Sequence, residues 1–206
     1  MSMSVDINLL LVSTTPDMNT TRTYTMTARA EAAEATRRRI LAAAIALAGE
    51  RPFAELTLDL VAERAEVSVK TVLRQFSSRD GLLAAAMEVA MADSESERRT
   101  VPGDAAAAVQ VVMDHYETRG RTALLMLAQE DHDDFARTAT TRGKAMHRDW
   151  VRAAFAPASD DDALLDLLVV ATDVYTWKLL RLDRGHSRAL TEQRMHDLVQ
   201  ALLPKE

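Results

Sequence analysis

Thr57 to Phe76 reads TLDLVAERAEVSVKTVLRQF, and this stretch decides the fold. Thr57 is a helix cap followed by Leu58, Val61, Ala62 and Ala65 at helical spacing, and Asp59 sits in the first turn, where the helix dipole favours an acid. Glu66, Val67 and Ser68 make a short turn. Ser68 then caps a second helix, whose apolar stripe is Val69, Val72, Leu73 and Phe76. Two short helices so joined form a helix-turn-helix, and the second keeps a polar face of Lys70, Thr71, Arg74 and Gln75. Positions 70, 71 and 74 point the same way once the stripe is buried. Such a face suits a DNA major groove. Arg and Lys reach guanine O6 and N7, Gln pairs with adenine and the Thr methyl touches thymine, each good bidentate contact giving roughly 1–3 kcal/mol of discrimination.

Upstream, a first helix is predicted from Ala32 to Ala48, with Ile40, Leu41, Ala44, Leu47 and Ala48 on one face, ended by Gly49 and Pro52. Downstream, Ser78 caps a helix whose inner face is Leu82, Leu83, Ala86, Met87 and Ala90. The helix starts after Thr57, Ser68 and Ser78, with Val69 opening the reading helix, present free N–H groups to phosphates. Arg37, Arg38 and Arg39 before the first helix, and Arg79 after the last cap, add positive charge, so affinity should fall steeply with salt.

The polar stretch Asp93 to Thr100, followed by Pro102 and Gly103, is read as a hinge between two lobes. Beyond it helices are expected over Asp104–Glu117, Thr122–Gln129 and Asp134–Phe155, the last weakened around Thr140 to Gly143. Asp160 to Asp162 opens a helix that is apolar almost all round through Leu164–Leu180 and must be covered on more than one side. Thr191 is expected to cap the last helix, with Leu190 and Met195 as a hydrophobic staple, and Pro204 stops it. Met1 to Ala28 is rich in Thr and Ser without a sustained period and reads as a flexible leader; Met18 and Met26 both precede the first strong helix, as a misassigned start codon would leave them. The expected organisation is a leader over 1–28, a helix-turn-helix domain over 29–80 and a helical domain over 81–206.

Composition agrees with an all-α fold. The 206 residues are 48% hydrophobic and include only 6 Gly and 5 Pro. The net charge of -6 is unevenly spread: Arg22 to Arg79 carries 10 Lys+Arg against 7 Asp+Glu, a net of +3, whereas Asp80 to Glu206 carries 15 against 22, a net of -7. A basic amino-terminal segment on an acidic body suits a DNA reader with a second domain of other purpose. There are 0 cysteines, which removes disulfides and thiolate chemistry and makes the cytoplasm the expected address. The apolar run Val5 to Val12 is interrupted by Asp6 and Asn8 and is too short for a membrane span, so no membrane partner is expected. Asp131, His132, Asp133 and Asp134 are consecutive rather than convergent, no nucleophile or phosphate-loop motif occurs, and neither a metal, a cofactor nor catalysis is expected.

From Thr36 to Val89 the chain resembles the TetR family of bacterial regulators. The family's RILxAAxxLxxExGF pattern reads here as Arg39-Ile40-Leu41-Ala42-Ala43-Ala44 through Leu47, Glu50 and Phe53. Its IAERAGVSxxTLYxxFxSKxxLL pattern reads as Val61 to Ser68, Thr71-Val72-Leu73, Phe76, Ser78-Arg79 and Leu82-Leu83. Glu66 replaces the usual turn glycine, so the turn carries a side chain at positive φ at some cost. Pro52 takes the usual glycine position, and Leu73 and Gln75 stand at frequently aromatic positions, removing family-typical phosphate contacts from those rings. The resemblance implies a DNA-bound homodimer paired through its last two helices and released by a small effector held among the other helices of the second lobe. Met113, Tyr116, Met126, Phe135, Met146, Trp150, Tyr175 and Trp177 fall on those helices, and their Met and aromatic character suits a hydrophobic effector. The competing reading is an architectural or protein-interaction module that uses the same fold without a regulated operator.

Overall fold

The computed structural model describes the backbone of residues 18–203 and the side chains of 28–203. Its elements are α1 (Met18–Glu50), a 3-10 turn Phe53–Glu55, α2 (Leu58–Arg64), α3 (Val69–Phe76), α4 (Arg79–Glu97), α5 (Ala105–Leu127) and α6 (Asp134–Ala154). A 3-10 turn Ala158–Asp160, α7 (Asp162–Ala171), α8 (Val174–Trp177), a π-helical turn Lys178–Asp183 and α9 (Arg188–Leu202) complete it. No strand occurs among the described residues, and the fold is all-α.

Short polar side chains fix where the helices start. Thr57, Ser68, Ser78, Asp104, Asp133, Asp161, Asp173 and Ser187 each accept a backbone N–H two or three residues ahead, at 2.8–3.3 Å, and open α2 through α9 in turn. Each satisfies an amide that the helix leaves without a partner, for about 1 kcal/mol.

Two compact units divide the chain, the first ending at Arg38 and the second running from Arg39. The first is the leading part of α1. Ala28 to Glu34 are exposed there, and Thr36 Oγ1 donates to Ala32 O at 2.9 Å. The flexible leader expected through Ala28 is corrected for residues 18–28, which are helical; residues 1–17 lie outside the described residues. Thr-rich residues 18–28 have weak helix propensity of their own and no apolar stripe, so no period announces them; they continue, without a break, the Ala-, Arg- and Glu-rich helix that follows from Ala28.

The second unit has two cores. One gathers Ile40, Leu47, Phe53, Leu56, Val61, Val72, Phe76, Leu82 and Ala136, so the three-helix head (the Arg39–Glu50 run of α1 with α2 and α3) is closed by the start of α4 and touched by α6. The other gathers Val109, Val112, Met113, Val151, Leu165, Leu168, Trp177, Met195 and Val199 from α5 to α9. Full burial of each such large apolar side chain is worth about 1.5–3 kcal/mol. The boundary expected near residue 80 falls inside this unit, and α4 serves both parts: Leu82, Leu83 and Ala86 belong to the head's core, while Ser94 and Arg98 are buried further along.

Several expected breaks are absent. α5 runs unbroken through Gly120, which is a packing site rather than a helix stop: an added Cβ would lie 2.6 Å from the Trp177 ring. α6 is continuous across Thr140 to Gly143, because Ala139 and Thr140 are buried and anchor it. The polar Asp93 to Glu97 stays in α4, and the chain breaks only from Arg98 to Asp104. Conversely, Leu164 to Leu180 is not one helix. Thr172 and Asp173 interrupt it, Thr172 turning its Oγ1 back to Leu168 O at 2.7 Å and Asp173 capping the restart. Finally, α9 starts at Ser187, after Gly185 at φ 66, rather than at Thr191. Thr191 is buried inside the helix and donates to Ser187 O at 3.0 Å, so the Leu190–Met195 staple is not used as expected.

Candidate nucleic-acid interface and ligand cavity

The turn between α2 and α3 is built by the backbone. Val67 N–H donates to Ala62 O at 2.9 Å and Glu66 N–H to Glu63 O at 3.1 Å, the paired bonds of a Schellman ending, with Glu66 at φ 55. The side chain expected in the left-handed region is there. A second strained residue follows α3: Ser77 has φ 65 and ψ -36, and Ser78 N–H donates across it to Phe76 O at 2.7 Å.

Between these turns α3 is held by Val72 and Phe76, both buried. Lys70 and Arg74 are exposed and form no ion pair among the described residues, so both charges are available to a partner. Thr71 and Gln75 are half-buried; the Thr71 hydroxyl lies 3.0 Å from Ser68 Oγ, and its N–H donates to that oxygen at 3.2 Å. Val69 is half-buried, and Thr57, Ser68 and Ser78 are exposed helix caps. Leu73 corrects the expected stripe. It is 40% exposed and stands beside Lys70 and Arg74, since only positions 69, 72 and 76 share the inner face. The signal was its one-residue offset from Val72, about 100° around the helix.

Arg79 is also placed differently from expectation. Its Nε donates to Leu56 O at 2.7 Å and a terminal nitrogen donates to Phe53 O, so the guanidinium fastens α4 to the turn after α1 instead of reaching outward for phosphate. Phe53 O already accepts the Leu56 N–H at 3.0 Å, and the guanidinium gives it a second, charged donor while also satisfying Leu56 O just past the turn. Arg37 and Arg38 lie on α1 in the first unit, half-buried and exposed respectively; Arg39, in the second, is exposed.

Within the second unit a cavity of about 440 Å³ lies between α1, α4, α5, α6 and the start of α8, a size usual for small-molecule sites. Ile45, Phe53, Met87, Met91, Met126 and Phe135 give much of its apolar wall. Tyr116, Met146 and Tyr175 also line it, whereas Met113, Trp150 and Trp177 do not. Met113 is core at 0% exposure; Trp150 donates Nε1–H to Arg98 O at 2.6 Å, and Trp177 donates to Glu117 Oε1 at 3.0 Å against Gly120. Both indoles spend their polar edge behind the wall. The α4 contributors Met87, Met91 and Arg98 were not anticipated, because Met87 was read as inner-face packing and Asp93 to Thr100 as a hinge.

The polar end of the cavity holds Arg98, His115, Asp173 and the Tyr116 ring, whose hydroxyl donates to Thr172 O at 3.0 Å. Burial, then the neighbouring Arg98 charge, brings His147 down to about 3 and His115 to about 4, so both imidazoles are neutral at pH 7. Burial also pushes Asp173 and Tyr116 above their ordinary ranges. Among the described residues no cluster of three or more possible ligands could hold a metal ion, and no helix is long and apolar enough to cross a membrane.

The cavity and the head share a wall. Phe53 is 1% exposed in the head's core, its N–H donates to Gln129 Oε1 at 2.8 Å, and its ring meets Phe135 edge-to-face at 4.9 Å. Both rings line the cavity.

Residues 40–86 match the model of bacterial regulatory proteins of the tetR family. No curated protein is similar enough in sequence to count as a relative. Among solved structures, a transcriptional regulator from Rhodococcus sp. Rha1 superposes with a TM-score of 0.63 at 19% identity, covering 81% of this chain and 95% of that one. A regulator from Streptomyces coelicolor A3(2) gives 0.55 at 23% identity, over 80% and 98% of the two chains. A TetR transcriptional regulator from Rhodococcus sp. RHA1 gives 0.50 at 23% identity, over 82% and 97%. These likenesses speak for the fold, and the match over 40–86 speaks for the head. Residues 40–86 therefore form a domain like that of bacterial regulatory proteins of the tetR family, set on a fold that this chain shares with solved transcriptional regulators.

Proposed function

We propose that this chain is a DNA-binding regulator of transcription and acts as a repressor, held on a palindromic operator as a homodimer and released when a small, largely apolar molecule fills the cavity. The observation that carries the reading is Phe53, which belongs at once to the core of the head and to the cavity wall. A molecule seated against Phe53 and Phe135 presses on the element that positions α2 and α3. It shifts the DNA equilibrium only as far as it prefers the non-binding arrangement, a coupling typically of about 1–3 kcal/mol.

Lys70, Leu73 and Arg74 form the face offered to base edges, with Leu73 suited to a thymine methyl and the two cations to guanine. Thr71 and Gln75 flank it. The amides after Thr57, Ser68 and Ser78, together with Arg39, supply phosphate contacts; Arg37 and Arg38, in the first unit, offer further positive charge to phosphate. Pairing of subunits is supported by Leu167, Val170, Leu179 and Leu198, which are 52, 64, 55 and 45% exposed on α7, the π-helical turn and α9. Burying them across a two-fold axis removes apolar surface that a monomer would leave in water. Two reading helices then meet successive major grooves.

Selection of bound sequences from a random duplex pool, for the wild type and for Arg74→Ala, tests the proposal. A palindromic motif that loses preference at one position per half-site in the variant supports it. Equal retention of every duplex would discard operator reading and favour a non-specific architectural role.

A further inference from the structure

The cavity contains one cation, Arg98, that feels Asp173 across the cavity but closes an ion pair with no carboxylate among the described residues. Arg98 ends α4, its N–H donating to Ser94 O at 3.2 Å, and its side chain is turned inward, the residue being 4% exposed. The guanidinium carbon lies 4.6 Å from the centroid of the Trp150 ring, a terminal nitrogen is 2.5 Å from His147 Nδ1, and Nε has no hydrogen-bond partner. Because a guanidinium only donates, His147 Nδ1 accepts, and the imidazole proton sits on Nε2, 3.4 Å from Val169 O. The contact therefore supplies a neutral acceptor and no countercharge.

The other cations lining the cavity are matched. Arg119 pairs with Glu97 at 2.6 Å and Lys144 with Glu130 at 2.7 Å. Arg98 has no carboxylate within 4.0 Å among the described residues. Asp173 lines the same cavity but does not close on it; its Oδ1 accepts the Tyr175 N–H at 2.8 Å to cap α8, and burial raises its affinity for a proton. Arginine cannot shed its charge to escape such a site, and an uncompensated buried charge is costly. The stable completion is an anion brought in by the ligand, bound through charge-assisted hydrogen bonds. The rest of the wall, methionine and phenylalanine, asks for an apolar body.

We propose that the effector is an apolar organic anion whose carboxylate closes on Arg98 while its hydrocarbon part fills the space among Met87, Met91, Met126 and Phe135. This rests on the cavity being the effector site. Selectivity then comes from one charge: an uncharged or cationic molecule of equal shape leaves Arg98 without its partner.

Calorimetric titration of the full chain with decanoate, decanamide and decylamine at neutral pH separates the two claims. Decanoate is expected to bind roughly tenfold or more tightly than either analogue, and Arg98→Met to level the three. Arg98→Lys keeps a cation there and should keep the order decanoate over decanamide, so the result stands even if the methionine variant folds poorly. Equal or tighter binding of decanamide or decylamine to the wild type, or a decanoate preference that survives in Arg98→Met, overturns the anion assignment and leaves the cavity as a neutral-ligand site. Failure of all three to bind overturns the effector-site reading itself, and the anion assignment with it.

Discussion

Gly120 tests the packing of the second lobe in a form that allows two opposing effects to be weighed. An alanine Cβ there would lie 2.6, 2.8 and 3.0 Å from Cζ3, Cη2 and Cε3 of Trp177, against a favourable carbon–carbon separation of about 3.5–4.0 Å. The indole has nowhere to retreat: it is 2% exposed, tied through Nε1 to Glu117, and packed on the Tyr116 ring at a centroid distance of 6.0 Å. Overpacking typically costs about 1–3 kcal/mol, and three ring atoms each too close place Gly120→Ala near the upper end. Replacing a mid-helix glycine returns about 1 kcal/mol of helix propensity, leaving a net loss of about 2 kcal/mol. For a chain of this size that is a fall in Tm of about 4–8 °C. Gly143→Ala is the matched control, because nothing lies within 4 Å of a Cβ built there. It should show only the propensity gain, a rise of about 2–4 °C. Thermal melts and urea midpoints of the two variants decide the matter. If Gly120→Ala gains stability as Gly143→Ala does, the tight approach of Trp177 to α5 is wrong.

Glu66→Gly should stabilise the head by up to about 1 kcal/mol, since glycine accepts φ 55 freely and this gain outweighs its larger unfolded-state entropy; an unchanged or lower urea midpoint would deny the strain. Acid should weaken the fold between pH 6.5 and 5. His147 and His115 have depressed folded pKa values, so over this range the unfolded chain takes up protons that the folded one refuses, at about 2 kcal/mol per histidine by pH 5. Asp173, raised by burial, works in the opposite direction, so the comparison to make is with His147→Asn, which should flatten the profile; parallel pH profiles for both proteins would refute the assignment.

The head was legible because its signals are local. Caps at Thr57, Ser68 and Ser78 announce themselves by residue type, and Glu66 in a turn that favours glycine announced its own strain. What stayed hidden depends on distant partners. Gly120 has the residue type of a helix stop, and only the Trp177 ring against it explains why α5 continues. Arg98 follows a run of polar residues that a solvated hinge would also contain; its burial against His147 and Trp150 requires residues 49 and 52 positions away. Leu73 was misplaced for the opposite reason, since apolar character alone does not say which side of a helix faces inward. The cavity residues were half visible. Met126, Phe135 and Met146 have the right chemistry at the right elements, as do Met113 and Trp177, and the sequence has no means of telling a wall from the packing behind it.

The bond from Phe53 N–H to Gln129 has a consequence for engineering with this scaffold. A head grafted onto a foreign sensor lobe would bring Phe53 but not the amide or the Phe135 ring that receive it. On the proposed reading, such a chimera keeps both parental folds and both binding activities and yet reports nothing, because the joint through which one half informs the other belongs to neither alone. A productive graft has to carry Gln129 and Phe135 along with the head, so the useful cut lies inside the lobe rather than at the apparent seam after α3.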